Sequence, residues 1–241
     1  FSTLDHLTNG RVGWNIVTSY LASAARNFGL EQMIRHDDRY ERAEEFLDVT
    51  YKLWEGSWAD DAVVADKSRQ LYAQGHRVRP INHAGEHYRV AGPHLTSPSP
   101  QRTPLLIQAG WSGRGRAFAA KHAELIFIAK SNPHEIRQGL EDIWAQAEAR
   151  GRQAQDVKSL TVLRIVTART EIEAQRKYDA LQSNYHLQAQ LVSYAGDTGI
   201  DISRYADNEA LATHTEGLTS YVMHPDGSGK PLTAGDVKQR F

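Results

Sequence analysis

Four runs of almost uninterrupted apolar residues, each followed by a helical pattern, constrain this chain more than any other feature. They are read at Arg11–Thr18 (RVGWNIVT), Pro104–Ala109 (PLLIQA), Leu125–Ala129 and Leu160–Ala168. Strands with continuous apolar content, alternating with helices, imply a parallel sheet covered on both faces. The clearest helix begins at Asp37-Asp38, with Tyr40, Ala43, Phe46, Leu47, Val49, Leu53 and Trp54 recurring at 3.6-type spacing. Further helices are read at Arg116–His122, from Asn132-Pro133 to Arg150, and from Thr170 through Leu187. Two architectures fit this α/β order: a doubly wound open sheet, or part of a (β/α)8 barrel, since four strands cannot close a barrel that needs eight.

The connections are less regular. Ser2–Leu7 reads as the last turns of a helix closed by Asn9-Gly10, and Tyr20–Arg35 as polar and irregular. From Gly56 to Thr103 the chain is rich in Pro, Ser, His and Gly, with a hairpin expected over Pro80–Gly92, turning at Ala84-Gly85. Residues 188–241 read as mostly helical, with turns at Gly196, Asp226-Gly227 and Gly229. A single domain over 1–241 is expected, with the segments 56–103 and 188–241 as insertions that cover a substrate. Phe1 falls inside a helical pattern, so the barrel reading expects a longer chain.

Composition narrows the function classes. The 241 residues carry 28 Lys and Arg against 29 Asp and Glu, so the net charge is -1. That balance gives no electrostatic footprint for nucleic acid. Cysteine is absent, which removes disulfides, thiolate metal sites and Cys nucleophiles. No apolar run approaches the ~20 residues of a membrane span, and a cytoplasmic protein is expected.

Three features could carry chemistry. Gly110-Trp111-Ser112-Gly113-Arg114-Gly115 ends a buried strand and opens a helix, an arrangement that exposes backbone N–H groups to an anion. An ordinary glycine-rich connection fits the same residues. Phe118 breaks a dinucleotide fingerprint, and Arg114 breaks a nucleophile elbow. Asn15, Thr18 and Ser19 cluster at the C-terminal end of a strand, where barrel enzymes place their sites. A buried Asn15 needs partners, supplied by a ligand or by neighbouring backbone. His36 and Tyr40, at i and i+4, could present an imidazole and a phenol from one helix face, or simply accompany the acidic caps Asp37 and Asp38. His83 and His87 share that spacing but lie on the expected hairpin, without the H-E-x-x-H pattern, and no metal site is expected.

The segments FSTLDHLTNGRVGWNIVTS, ARNFG, HDDRYERAEEF, LWEGSW, INHAGEHYRVAGP and SPSPQRTPLLIQAGWSGRGRAFAAKHAE occur in this order. They resemble the flavin-dependent monooxygenases of the nitrilotriacetate and dibenzothiophene-sulfone monooxygenase type, in the bacterial luciferase-like superfamily. The likeness is dense from Phe1 to Ile128 and thinner beyond. It implies a (β/α)8 TIM barrel of which this chain supplies about strands four to seven. It also implies reduced FMN from a separate NAD(P)H:flavin reductase, O2, and a small sulfur or amine substrate undergoing C–S or C–N cleavage. By the same resemblance the flavin ring lies against Asn15 and Thr18, and its phosphate meets His36, Tyr40, Ser112 and Gly113. A homo-oligomer, dimer or tetramer, is implied as well. No general acid or base is assigned. A non-catalytic flavin-binding protein and a coenzyme F420-dependent oxidoreductase on the same scaffold are the alternatives.

Overall fold

The computed structural model describes residues 1–130, 132–211 and 230–240. In chain order it opens with helix α1 (Ser2–Thr8), closed by Asn9 at φ 53, and strand β1 (Gly13–Ile16). Helix α2 (Ala22–Asn27) lies in the stretch expected to be irregular. Helix α3 (His36–Tyr51) continues into a π-helical turn, Lys52–Gly56. Two hairpins follow, β2 (Val63–Asp66) with β3 (Leu71–Ala73), and β4 (His83–Ala84) with β5 (Arg89–Val90). The second is the expected hairpin, but its turn runs over 85–88, closed by the Gly85 N–H donating to the Tyr88 carbonyl at 2.9 Å. Then come β6 (Leu105–Gln108), α4 (Gly113–His122), β7 (Leu125–Ile128), α5 (Pro133–Glu148) and β8 (Lys158–Thr161). Helices α6 (Glu171–Ser183), α7 (Leu187–Thr198) and α8 (Ala234–Arg240) complete the described chain.

The chain divides into two compact units, Phe1–Thr18 with His36–Val162, and Ser19–Arg35 with Leu163–Phe241. The first is built on a parallel sheet of order β1-β6-β7-β8. Its register pairs Ile16 with Gln108, Gln108 with Ile126, and Ile126 with Ser159. Paired residues share a face, so Trp14, Ile16, Leu106, Gln108, Ile126 and Ile128 all point one way. All three packing helices lie on that side: Tyr40 and Leu47 of α3 and Phe118 of α4 against Ile16 and Leu106, and Leu140, Ile143 and Ala147 of α5 against Ile126 and Ile128. Each fully buried Ile contributes about 1.5–3 kcal/mol. On the opposite face Leu105 and Leu160 are exposed and Ile107, Leu125 and Phe127 half-buried, and no helix of the buried clusters packs there among the described residues. A doubly wound sheet covers both faces with helices, whereas a barrel puts helices on one face and its lumen on the other. One-sided cover selects the barrel arrangement over the open sheet.

Two expected boundaries are corrected. The last strand was expected over Leu160–Ala168, but β8 ends at Thr161, because its partner β7 ends at Ile128 in register with it. Beyond that point Val162, Leu163 and Ile165 are exposed. Helix α4 starts three residues earlier than expected, since Ser112 caps it and the glycines at its start are accommodated.

In the second unit the expected helix through Leu187 breaks at 184–186, between α6 and α7. Helix α7 runs through Gly196, expected to be a turn, and stops at Gly199 in a left-handed conformation, φ 76. Its core is formed by Tyr194, Ile200, Ile202, Leu211, Leu232 and Val237. The expected turns at Asp226-Gly227 and Gly229 lie outside the described residues. No helix among the described residues is long and apolar enough to cross a membrane.

Candidate anion site at the first turns of two helices

Strand β6 ends at Gln108, and four residues later the chain enters α4. Ser112 is the cap: its Oγ accepts the Gly115 N–H at 3.0 Å, and its carbonyl accepts the Arg116 N–H at 2.8 Å. The N–H groups of Gly113 and Arg114 find no acceptor among the described residues. Free N–H groups at a helix start, together with the helix dipole, favour an anion.

Helix α3 meets this turn with its own first residue. His36 Nδ1 lies 2.6 Å from Asp37 Oδ1, and His36 Nε2 lies 3.2 Å from Ser112 Oγ. One proton arrangement serves all of these contacts. Nδ1–H donates to Asp37, the Ser112 hydroxyl donates to Nε2, and Ser112 Oγ still accepts from Gly115.

One turn on, Tyr40 is 4% exposed, its ring tilted against Phe118 at 5.5 Å and against His36 at 5.2 Å. Its Oη occupies space that only glycine leaves open. A Cβ on Gly110 would overlap it, and one on Gly115 would lie 2.8 Å away. Gly113 has open space around it, so it contributes its N–H rather than a close approach. The nearby cations are already paired: Arg114 lies over the Tyr40 ring at 5.9 Å and pairs with Glu41 at 2.7 Å, and Arg116 pairs with Asp142. An anion here would be held by N–H, hydroxyl and imidazole groups.

Of the residues singled out from sequence, His36, Tyr40, Ser112 and Gly113 therefore converge. Asn15 and Thr18 share no hydrogen bond with them. Asn15 was expected to be buried. It is exposed, because the alternation along β1 turns it to the uncovered face, opposite to Ile16. Thr18 is half-buried, two residues past the end of β1.

Two features escaped the sequence reading. Gln108 is 3% exposed and joins the site from below: its Oε1 accepts the Gly110 N–H at 2.6 Å and its Nε2 donates to Tyr40 Oη at 3.4 Å. The available signal was a lone amide ending an apolar strand. The second feature is a pair of adjacent carboxylates on α3. Burial alone would raise Glu44, but hydrogen bonds from His122 at 2.9 Å and from Lys121 hold it at about 2. Desolvation would likewise raise Glu45, yet His83 at 2.9 Å and the His87 and Tyr88 N–H groups, each at 2.8 Å, hold it at about 2. Glu44 thus clasps α4, and Glu45 clasps the hairpin β4–β5.

The luciferase-like monooxygenase family matches residues 1–228. The chain is 47% identical over 247 aligned residues to the dimethyl-sulfide monooxygenase of Hyphomicrobium sulfonivorans, covering 99% of this chain and 51% of that protein. It is 42% identical over 239 residues to the long-chain alkane monooxygenase of Geobacillus thermodenitrificans, covering 99% of this chain and 54% of the relative. A riboflavin lyase solved with modified FMN and riboflavin superposes with a TM-score of 0.87 at 38% identity, over 98% of this chain and 52% of the other. The chain spans about half the length of the curated relatives it matches.

Proposed function

The chain belongs to the luciferase-like monooxygenase family, its sheet being part of that family's barrel, and from this premise we propose that the protein is a two-component, reduced-FMN-dependent monooxygenase. It receives reduced FMN from a separate NAD(P)H:flavin reductase. With O2 it oxygenates a small organic sulfur or amine compound, leading to C–S or C–N cleavage. Relatives named for dimethyl-sulfide and alkane oxygenation support this reading over a non-catalytic flavin binder or an F420-dependent oxidoreductase. The four-stranded sheet is read as strands four to seven, in a cytoplasmic homo-oligomer. Because the family match runs through both compact units, they are read as parts of one domain.

The donor set fits the terminal phosphate of FMN. Gly113 and Arg114 offer backbone N–H groups and Tyr40 a hydroxyl, beside Ser112 and His36, whose mutual contact would rearrange to admit an anion; the carboxylates Asp37 and Glu41 are engaged by His36 and Arg114. Asn15 and Thr18, near the C-terminal end of β1, are assigned to the flavin ring. When bound, reduced FMN supplies the two electrons that activate O2. The residues of this chain bind its phosphate and fix its orientation, while the segments 56–103 and 188–241 are read as covers that exclude water.

The single observation that carries the proposal is the 3.2 Å approach of His36 Nε2 to Ser112 Oγ, which joins two helix starts beside free N–H groups. The test is a flavin titration of the intact protein, followed by turnover with a flavin reductase, NADH, O2 and dimethyl sulfide as the probe. The expected result is tighter binding of FMN than of riboflavin, and substrate-dependent O2 consumption. Equal affinity for the two flavins would remove the phosphate site, and flavin binding without substrate-dependent O2 uptake would remove this substrate class.

A further inference from the structure

We propose that Gln108 is a positioning residue for the flavin phosphate, acting by aiming the Tyr40 hydroxyl proton at the anion; this rests on the phosphate site proposed above. Gln108 is the last residue of β6, in register with Ile16 on one side and Ile126 on the other, on the helix-covered face of the sheet. An amide buried in such an apolar layer is destabilising unless both of its ends are paired. The Gly110 N–H can only donate, so it fixes Oε1 at its 2.6 Å contact and turns Nε2 towards Tyr40. Tyr40 Oη therefore receives a hydrogen bond from within the protein, and its own proton points away from Gln108. That proton meets no acceptor among the described residues, although Tyr40 is buried. Gly110 and Gly115 let Oη press against the backbone of the turn that leads to the free N–H groups. The amide thus does two things: it shapes the glycine turn and leaves the phenol as a donor.

The test is a titration of the intact protein with FMN and with riboflavin, for wild type, Tyr40→Phe, Gln108→Met and the double variant. Gln108→Met is expected to weaken FMN about tenfold, the size of one lost hydrogen bond to a charged group, and to change riboflavin affinity less than about twofold. More than half of its FMN loss should vanish in the Tyr40→Phe background. Equal losses for both flavins, or a loss that adds in full to that of Tyr40→Phe, would overturn the proposal. If Tyr40→Phe does not separate FMN from riboflavin, the phosphate site itself fails, a result distinct from failure at Gln108 alone. Should Gln108→Met not fold, Gln108→Glu keeps the acceptor for Gly110 and the side-chain shape, but as a carboxylate captures the Tyr40 proton. Its FMN affinity should then fall as pH rises while riboflavin affinity stays level; a flat FMN profile overturns the idea.

Discussion

His36 Nε2 lies 3.2 Å from Ser112 Oγ, so the first residue of α3 touches the residue that caps α4. Ser112 therefore does two separable jobs. Ser112→Ala strands the Gly115 N–H, and loss of such a cap costs about 1 kcal/mol. It also removes the hydroxyl that meets both His36 and an incoming anion. The expected outcome is a modest drop in the unfolding midpoint together with a larger loss of affinity for FMN than for riboflavin. Ser112→Thr should restore the cap and most of the FMN preference. Thermal unfolding and flavin titration on the same samples read the two effects apart.

Gly110 is held to glycine by Tyr40. A Cβ there would overlap Tyr40 Oη and sit 2.6 Å from Gln108 Nε2, in a layer where Tyr40 is 4% exposed and cannot swing aside. Gly110→Ala should destabilise the protein by about 1–3 kcal/mol, the usual cost of overpacking. Tyr40→Phe removes the atom that clashes, so the double variant should recover part of that loss. Denaturant unfolding of the four proteins gives the coupling. Strictly additive losses would show that the clash lies elsewhere.

Much of this was legible in the sequence, for physical reasons that particular residues make plain. The strand at Pro104–Ala109 stands out because it is a nearly unbroken apolar run lying between two other strands of the parallel sheet, and the glycine turn after it stands out because glycine has few other reasons to recur so closely. Asn15 is exposed rather than buried, because strand alternation tells which residues share a face, not which face is covered. The overrun to Ala168 has the same root: Val162, Leu163 and Ile165 are as apolar as a strand, but pairing stops where β7 stops, at Ile128. Gln108 was passed over because its role depends on Tyr40, 68 residues away in sequence. The hairpin β2–β3 is organised by Asp66 Oδ1, which accepts from the Ser68 N–H at 2.9 Å and the Arg69 N–H at 3.1 Å, a local turn that apolar periodicity does not report.

Glu44 and Glu45 set the acid limb of stability. Each is held at about 2 in the folded protein, against an ordinary value of 4.5. Each therefore takes up a proton less readily folded than unfolded. Their contribution is fully present above pH 4.5 and is lost as pH falls from about 4.5 towards 2. Glu44→Gln should lower stability at neutral pH, since His122 and Lys121 lose their charged acceptor. It should also reduce the further loss between pH 4.5 and 2 relative to wild type. Urea midpoints measured across that window check this, and parallel curves for the two proteins would count against it.

The last prediction concerns how the hairpin β4–β5 is held. Glu45 receives His83 Nε2 and the backbone N–H groups of His87 and Tyr88, and a Cβ on Gly85 would overlap its Oε1. One carboxylate thus fastens the turn of the hairpin to α3, while Leu47, about half a helical turn further on, stays in the core beside Ile16 and Phe118. Glu45→Ala leaves two backbone donors without their acceptor but removes nothing from that core. Local opening of the hairpin should therefore become easier without a matching change in global unfolding. Limited proteolysis is expected to cut between residues 84 and 89 several times faster, with the thermal midpoint shifted far less than by Gly110→Ala. Glu45→Gln, which keeps one acceptor oxygen, should fall between the two. Unchanged cleavage in Glu45→Ala would mean that the hairpin is held by its other contacts, Tyr88 against Phe46 at 5.6 Å foremost among them.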